Sequence, residues 1–112
     1  MADTSPLLAE LEAFLAHLAV ERRLSANTLS AYRLDLTHLA VWMDGQGLRD
    51  WRALGQEPLR TYVAGVHRGG LSGKSLQRRL SAVRGFYRHL NRSQQSELNP
   101  AQGLRAPKAA RR

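Results

Sequence analysis

Residues 72–92 read SGKSLQRRLSAVRGFYRHLNR, and this stretch decides the fold class. Its apolar residues recur every three or four positions, which is the spacing of one face of an α-helix. They are Leu76, Leu80, Val83, Phe86, Tyr87 and Leu90. Ser72 or Gly73 precedes the pattern and is a suitable N-cap, so we predict a helix that ends at about Arg92.

Three more helices are predicted before this one. A first begins after Thr4, with Pro6 at its start, and ends near Arg22. A second is capped by Ser25 and stopped by Gly45 and Gly47, and a third starts at Pro58 and ends at Gly69 and Gly70. No segment shows sustained strand alternation. The sequence therefore predicts an all-α fold of four helices.

The second predicted helix has apolar residues outside its main stripe, namely Leu34, Val41 and Trp42. A helix that is apolar around much of its circumference is usually contacted on several sides. We therefore expect it to lie centrally in the fold.

The chain has 112 residues, which suggests one domain. After Asn99 and Pro100 the composition shifts towards alanine and arginine, with little left to bury. We predict a domain over residues 1–99 and a basic linker, cut before a further domain, over residues 100–112. The absence of cysteine excludes disulfides and thiolate metal sites, and no apolar run approaches the roughly 20 residues that cross a bilayer. An intracellular protein with no membrane association is expected.

Positive charge is concentrated in the second half of the chain. Residues 1–57 hold 5 basic and 8 acidic residues, whereas residues 58–112 hold 12 basic residues and Glu97 as the only acid. So steep an asymmetry in a folded domain favours a polyanionic partner, because clustered cations release condensed counterions from phosphates. The alternative is a solvated basic surface that serves solubility.

The fourth helix opposes its apolar stripe with a cationic face. At about 100° per residue, that face holds Lys74, Gln77, Arg78, Ser81, Arg84, Gly85 and Arg88. A solvated face normally mixes acids with its bases, yet no carboxylate occurs between Arg60 and Arg92. This favours nucleic-acid contact, and a major groove about 12 Å wide admits such a helix. Arg79 falls beside the apolar stripe, and we expect it to pack its stem there and to pair with an acid such as Glu21.

The start of the second helix is another candidate surface. Ser25 is expected to act as the cap, while Asn27 and Thr28 are not needed for capping and are free to meet phosphate oxygens. Arg33, one and a half turns later, extends this surface.

Catalytic and metal sites are not indicated. The four histidines, His17, His38, His67 and His89, are far apart and lack the spacing of metal ligands. Residues 69–75, GGLSGKS, superficially resemble a P-loop, but a helix precedes them instead of a buried strand. All three tyrosines sit on apolar stripes. We therefore predict no catalytic residue, no metal and no cofactor.

Two stretches carry a resemblance to a known family. Residues 24–36, LSANTLSAYRLDL, and 70–87, GLSGKSLQRRLSAVRGFY, resemble the N-terminal core-binding domain of tyrosine recombinases, a SAM-like domain related to phage integrases. Residues 47–51, GLRDW, and 99–108, NPAQGLRAPK, are most similar to the Xer branch of that family, the bacterial recombinases that resolve chromosome dimers.

The resemblance implies two crossed helical hairpins that form one half of a clamp around duplex DNA. It places the nucleophilic tyrosine and its activating residues in a separate C-terminal catalytic domain after Arg112, so this chain by itself performs no chemistry. It also implies a heterotetramer with a XerD-like recombinase, in the bacterial cytoplasm and on the nucleoid when bound. With the faces above, the predicted DNA-contacting residues are Ser25, Asn27, Thr28, Arg33, Lys74, Ser75, Gln77, Arg78, Ser81, Arg84, Arg88 and Lys108.

Two other functions remain open from the residues alone. A helical protein-interaction module would use the basic surface to bind an acidic protein. A stand-alone regulator of the helix-turn-helix type would usually add a dimerisation element, and none follows the fourth helix.

Overall fold

A computed structural model describes residues 5–94 and 99–105 of the chain. It contains four α-helices: α1 (Ser5–His17), α2 (Ala26–Gly45), α3 (Gln56–Arg68) and α4 (Gly73–Gln94). A π-helical turn, Leu18–Arg22, continues α1, and a short 3-10 helix, Trp51–Ala53, follows α2. No strand occurs in the part of the chain that the structure describes. The predicted all-α, four-helix fold is confirmed.

The chain divides into two compact units, residues 1–53 and 54–112, and each is built on one pair of helices. In the first unit α1 packs against α2. The apolar face of α1 is buried from Leu7 to Leu18, as its spacing predicts. Trp51 is completely buried, and its indole Nε1 donates a hydrogen bond of 2.9 Å to the carbonyl oxygen of Leu7. This bond fixes the segment after α2 to the start of α1.

The first helix ends where the sequence predicts, but in another geometry. Its last residues, Leu18–Arg22, form a π-helical turn, and Arg23 then adopts a left-handed conformation with φ 52° and ψ 40°. Left-handed geometry reverses the chain direction and separates this helix from the next. Thr4, the predicted cap, lies outside the described residues.

Helix α2 begins and ends at the predicted residues, since Ser25 is its N-cap and Gly45 its last residue. Its buried apolar residues Leu36, Leu39, Ala40 and Met43 form a single stripe. Leu34 and Val41, seven positions apart and opposite that stripe, are 64% and 59% exposed. The expectation that α2 is contacted on several sides is therefore not met at Leu34 and Val41.

In the second unit α3 packs against α4. Pro58 lies in the first turn of α3, and Gly69 and Gly70 end it, with Gly70 at φ +109° where a side chain would be strained. Ser72 is the N-cap of α4, because its Oγ accepts a hydrogen bond of 3.1 Å from the amide of Ser75. The six apolar residues predicted to face inwards from α4 are all buried.

A turn over residues 99–105, here called the C-terminal turn, belongs to the second unit. Ala101 is fully buried and Leu104 is 6% exposed. The sequence predicts little to bury after Pro100, and these two residues are the apolar side chains that the turn buries there. The boundary predicted at residue 99 itself stays a prediction. Among the described residues no helix is both long enough and apolar enough to span a membrane.

Candidate nucleic-acid interface

A stripe of exposed polar residues runs along α4, opposite its buried face. Lys74, Gln77, Ser81 and Arg88 are all exposed and follow one another at helical intervals. We call these four residues the α4 stripe. At 1.5 Å per residue it is about 21 Å long. Ser75 and Gly85 beside it are half-buried.

The ends of the α4 stripe carry positive charge that no acid neutralises within the described residues. Ion pairs with acids are formed by Arg33, Arg49, Arg52 and Arg60. None of them includes Lys74 or Arg88. These two cations therefore remain available to an anion from outside the protein, as the missing carboxylates between residues 60 and 92 predict.

Arg84 lies between Ser81 and Arg88 on the same side of α4, but it is half-buried and partly engaged. Its Nη1 donates a hydrogen bond of 2.9 Å to the carbonyl oxygen of Leu104 in the C-terminal turn. The sequence predicts Arg84 as a simple surface cation. The structure shows that it also has a structural contact, so its replacement would change stability as well as surface charge.

The other two arginines of α4 are less accessible. Arg78 is half-buried and already interacts with the rest of the protein. Arg79 is 5% exposed, and its Nη1 donates a hydrogen bond of 2.9 Å to the hydroxyl of Tyr62 on α3. Arg79 is thus a core residue, more deeply buried than the flanking position predicted for it, and its contact with Tyr62 was not foreseen.

At the start of α2, Ser25 and Thr28 are engaged with each other. The Oγ of Ser25 accepts the amide of Thr28 at 3.1 Å and donates to the Oγ1 of Thr28 at 3.0 Å. The capping role of Ser25 is confirmed, and the hydroxyl of Thr28 takes part in the same local network. Asn27 is exposed beside them.

Arg33 is paired with Glu12 of α1, which the sequence analysis did not anticipate. Its Nε and Nη2 donate to the two carboxylate oxygens of Glu12 at 3.0 and 2.6 Å. These hydrogen bonds hold the pKa of Glu12 below its ordinary value of 4.5. The pair is therefore intact at neutral pH and separates only as pH falls through that lowered pKa. Arg33 thus contributes little net positive charge to the surface predicted around it.

The remaining predicted positions add no further chemistry. Lys108 lies outside the described residues. Within the described ranges, no group of three or more histidine, aspartate or glutamate side chains is arranged to hold a metal ion. Tyr62 and Tyr87 are 2% exposed, so neither hydroxyl is placed to attack an external substrate.

Comparison with protein families gives one match over most of the chain. The family model described as the phage integrase N-terminal SAM-like domain matches residues 11–94. This range contains α2, α3, α4 and most of α1. No solved structure matches the chain.

Curated proteins named "Tyrosine recombinase XerC" are similar to this chain. The protein of Xanthomonas campestris pv. campestris is 50% identical over 105 residues, which cover 94% of this chain and 33% of that protein. The protein of Pseudomonas aeruginosa is 48% identical over 104 residues, or 93% of this chain and 34% of its own length. That of Xylella fastidiosa is 52% identical over 99 residues, or 88% and 34%. The chain thus spans about a third of the length of the curated relatives it matches.

Proposed function

Because this chain belongs to the phage integrase N-terminal SAM-like domain family, we propose that it is the DNA-binding part of a XerC-like tyrosine recombinase. The observation that carries the proposal is the α4 stripe, an exposed polar surface whose end cations form no ion pair with an acid among the described residues. A helix with such a face fits the major groove of duplex DNA, which is about 12 Å wide.

The residues of the α4 stripe have different roles, which follow from the chemistry of their side chains. Lys74 and Arg88, at its two ends, contact phosphates and set the position of the helix on the duplex. Between them, the amide of Gln77 has the donor and acceptor pair that reads the edge of an adenine. The small side chain of Ser81 lets the helix backbone approach the groove floor. Asn27 adds a contact from the start of α2, whereas Arg33 contributes only when Glu12 releases it.

In the whole protein we propose that this part holds the DNA while other residues perform strand exchange. The partner would be a XerD-like recombinase in a heterotetramer on two DNA sites, and the process would be chromosome-dimer resolution in the bacterial cytoplasm. We propose that the nucleophile of that reaction lies elsewhere in the whole protein; in the described residues Tyr62 and Tyr87 are buried and Tyr32 is half-buried.

A protein-interaction module is the second candidate, and the exposure of Leu34 and Val41 favours it. Binding of an acidic protein that persists after nuclease treatment and is not reduced by competing duplex DNA would support this candidate against DNA binding.

Removing Lys74 or Arg88 tests the DNA-binding proposal. Lys74→Ala and Arg88→Ala are each expected to weaken duplex binding severalfold at 0.1 M salt and to reduce the slope of log K against log salt by about 0.9. Unfolding free energy should change by less than about 0.5 kcal/mol, because both side chains are exposed. Fluorescence anisotropy between about 50 and 200 mM salt measures affinity and slope.

Arg60→Ala is the matched control for these variants. It removes one positive charge from the same unit, but Arg60 is on α3 and already pairs with Glu57. For Arg60→Ala the slope of log K against log salt should remain close to that of the unaltered chain. Equal losses in all three variants would mean that net charge, and not the α4 stripe, determines binding.

Releasing Arg33 is expected to have the opposite effect. Glu12→Gln removes the carboxylate that neutralises Arg33, so duplex affinity should rise about two- to threefold, with a salt slope steeper by about 0.9. Stability should change little, since exposed ion pairs contribute about 0–1 kcal/mol. Glu57→Gln, which frees Arg60 in the same way, is the control. An equal rise in both variants would show that Arg33 is not part of the DNA-binding surface.

A further inference from the structure

The C-terminal turn is held against the DNA-facing side of α4 by reciprocal hydrogen bonds. Arg84 Nη1 donates to the carbonyl oxygen of Leu104 at 2.9 Å, and Asn99 Nδ2 donates to the carbonyl oxygen of Arg84 at 3.4 Å. The same residue of α4 therefore contacts both ends of the turn. This residue lies between two members of the α4 stripe, Ser81 and Arg88.

The turn has an internal structure of its own. The amide of Gln102 donates to the carbonyl oxygen of Asn99, and that of Leu104 to the carbonyl oxygen of Ala101, both at 3.0 Å. Asn99 Oδ1 accepts the amide of Ala101 at 3.2 Å, and Gly103 has φ +77°. These bonds order the turn locally, and the burial of Ala101 and Leu104 docks it on the second unit.

The docking is limited in extent. An open cavity of about 250 Å³ lies between the turn and the segment that begins α3, where Gln56 Nε2 reaches the carbonyl oxygen of Gln102 at 3.1 Å. Three apolar side chains of the turn, Pro100, Ala101 and Leu104, are buried, so docking of the turn accounts for a small part of the apolar burial in the whole fold. Arg84 contacts both ends of the turn, so a change at Arg84 is expected to weaken its docking.

One guanidinium has enough donors for two partners. Arginine has five N–H groups, and Nη1 on the Leu104 carbonyl leaves the Nε and Nη2 edge available for a phosphate. A guanidinium already fixed in position loses less rotamer freedom when a phosphate binds.

We propose that Arg84 couples DNA binding to docking of the C-terminal turn, so that each favours the other. The inference rests on the proposed function, since the ligand is duplex DNA. In this proposal Asn99 and Leu104 are positioning residues: they contact Arg84 and do not themselves contact DNA. By linkage, the factor by which docking raises DNA affinity equals the factor by which DNA stabilises docking.

Weakening the turn without altering any cation tests the coupling. Asn99→Ala removes two hydrogen bonds of the turn and is expected to lower duplex affinity about fivefold while the salt slope stays unchanged. In the unaltered chain, duplex should slow hydrogen exchange at the amides of Gln102 and Leu104 by a similar factor. Anisotropy titration and hydrogen exchange resolved by residue measure the two sides of the same coupling.

Two further variants separate coupling from loss of stability. Val63→Ala removes buried volume from α3 without touching the turn, and its duplex affinity should not change. Arg84→Lys keeps the charge but not the forked geometry, so it should lose as much affinity as Asn99→Ala, and the double variant should lose no more than either alone.

Unchanged affinity in Asn99→Ala, or faster exchange at Leu104 when duplex is present, would overturn the coupling. If this occurred while Lys74→Ala still weakened binding, only the coupling would fail. If the unaltered chain did not bind duplex at all, both the proposed function and the coupling would fail.

Discussion

Trp51→Ala is expected to lower the free energy of unfolding by about 4 kcal/mol, the largest effect of any single change considered for this protein. Trp51 is fully buried, and its indole nitrogen donates to the carbonyl oxygen of Leu7. Alanine would leave a large cavity and remove the hydrogen bond from the indole to the carbonyl oxygen of Leu7. Denaturant unfolding followed by circular dichroism measures the loss.

Trp51→Phe separates the two contributions. It keeps an aromatic ring in the site but cannot donate a hydrogen bond, so a loss of about 1–2 kcal/mol is expected. A loss below about 1 kcal/mol in Trp51→Ala would show that the segment after α2 does not hold α1 in place.

Arg79→Ala is expected to lower the free energy of unfolding by about 3 kcal/mol. The guanidinium is buried on α4, and alanine removes both its bond to the Tyr62 hydroxyl and the packing of its stem. For a domain of this size the melting temperature should fall by about 12 °C or more. Calorimetry measures this shift.

Tyr62→Phe and the double variant complete the test of Arg79. The phenylalanine variant should lose about 1.5 kcal/mol, and the double variant should lose less than the sum of the two single losses because the pair is in direct contact. Below its melting temperature, Arg79→Ala should bind duplex as well as the unaltered chain. Additive losses would mean that the bond between Arg79 and Tyr62 contributes nothing, and lost duplex binding by a folded variant would give Arg79 a role in recognition.

Helices and caps were predictable because their signals are local. The apolar spacing of α4 and the cap at Ser72 depend on residues within a few positions of one another, as does the cap at Ser25. The exposure of Lys74, Gln77, Ser81 and Arg88 follows from the same spacing, since residues opposite a buried stripe face outwards. That much of the candidate site could be read from the sequence.

The errors arise where partners are distant in the chain. Glu12 and Arg33 are 21 positions apart, and no spacing rule connects them. Leu104 and Arg84 are 20 positions apart, so spacing does not predict the hydrogen bond between them either. Arg79 falls at the edge of the stripe by angle alone, and its hydrogen bond to the hydroxyl of Tyr62, 17 positions away, helps to make its burial favourable. Leu34 and Val41 show that apolar character does not by itself bury a residue.

The four residues of the α4 stripe are exposed and contribute little to the stability of the fold, because the opposite face of the helix forms the packing contacts. Substitutions at Gln77 or Ser81 can therefore accumulate over generations without a penalty in stability. If the α4 stripe binds DNA as proposed, a lineage carrying this domain can change the DNA sequence that it prefers while its architecture stays the same. Arg79 and Arg84 lack this freedom, and we expect drift in target preference to begin at the exposed positions between Lys74 and Arg88.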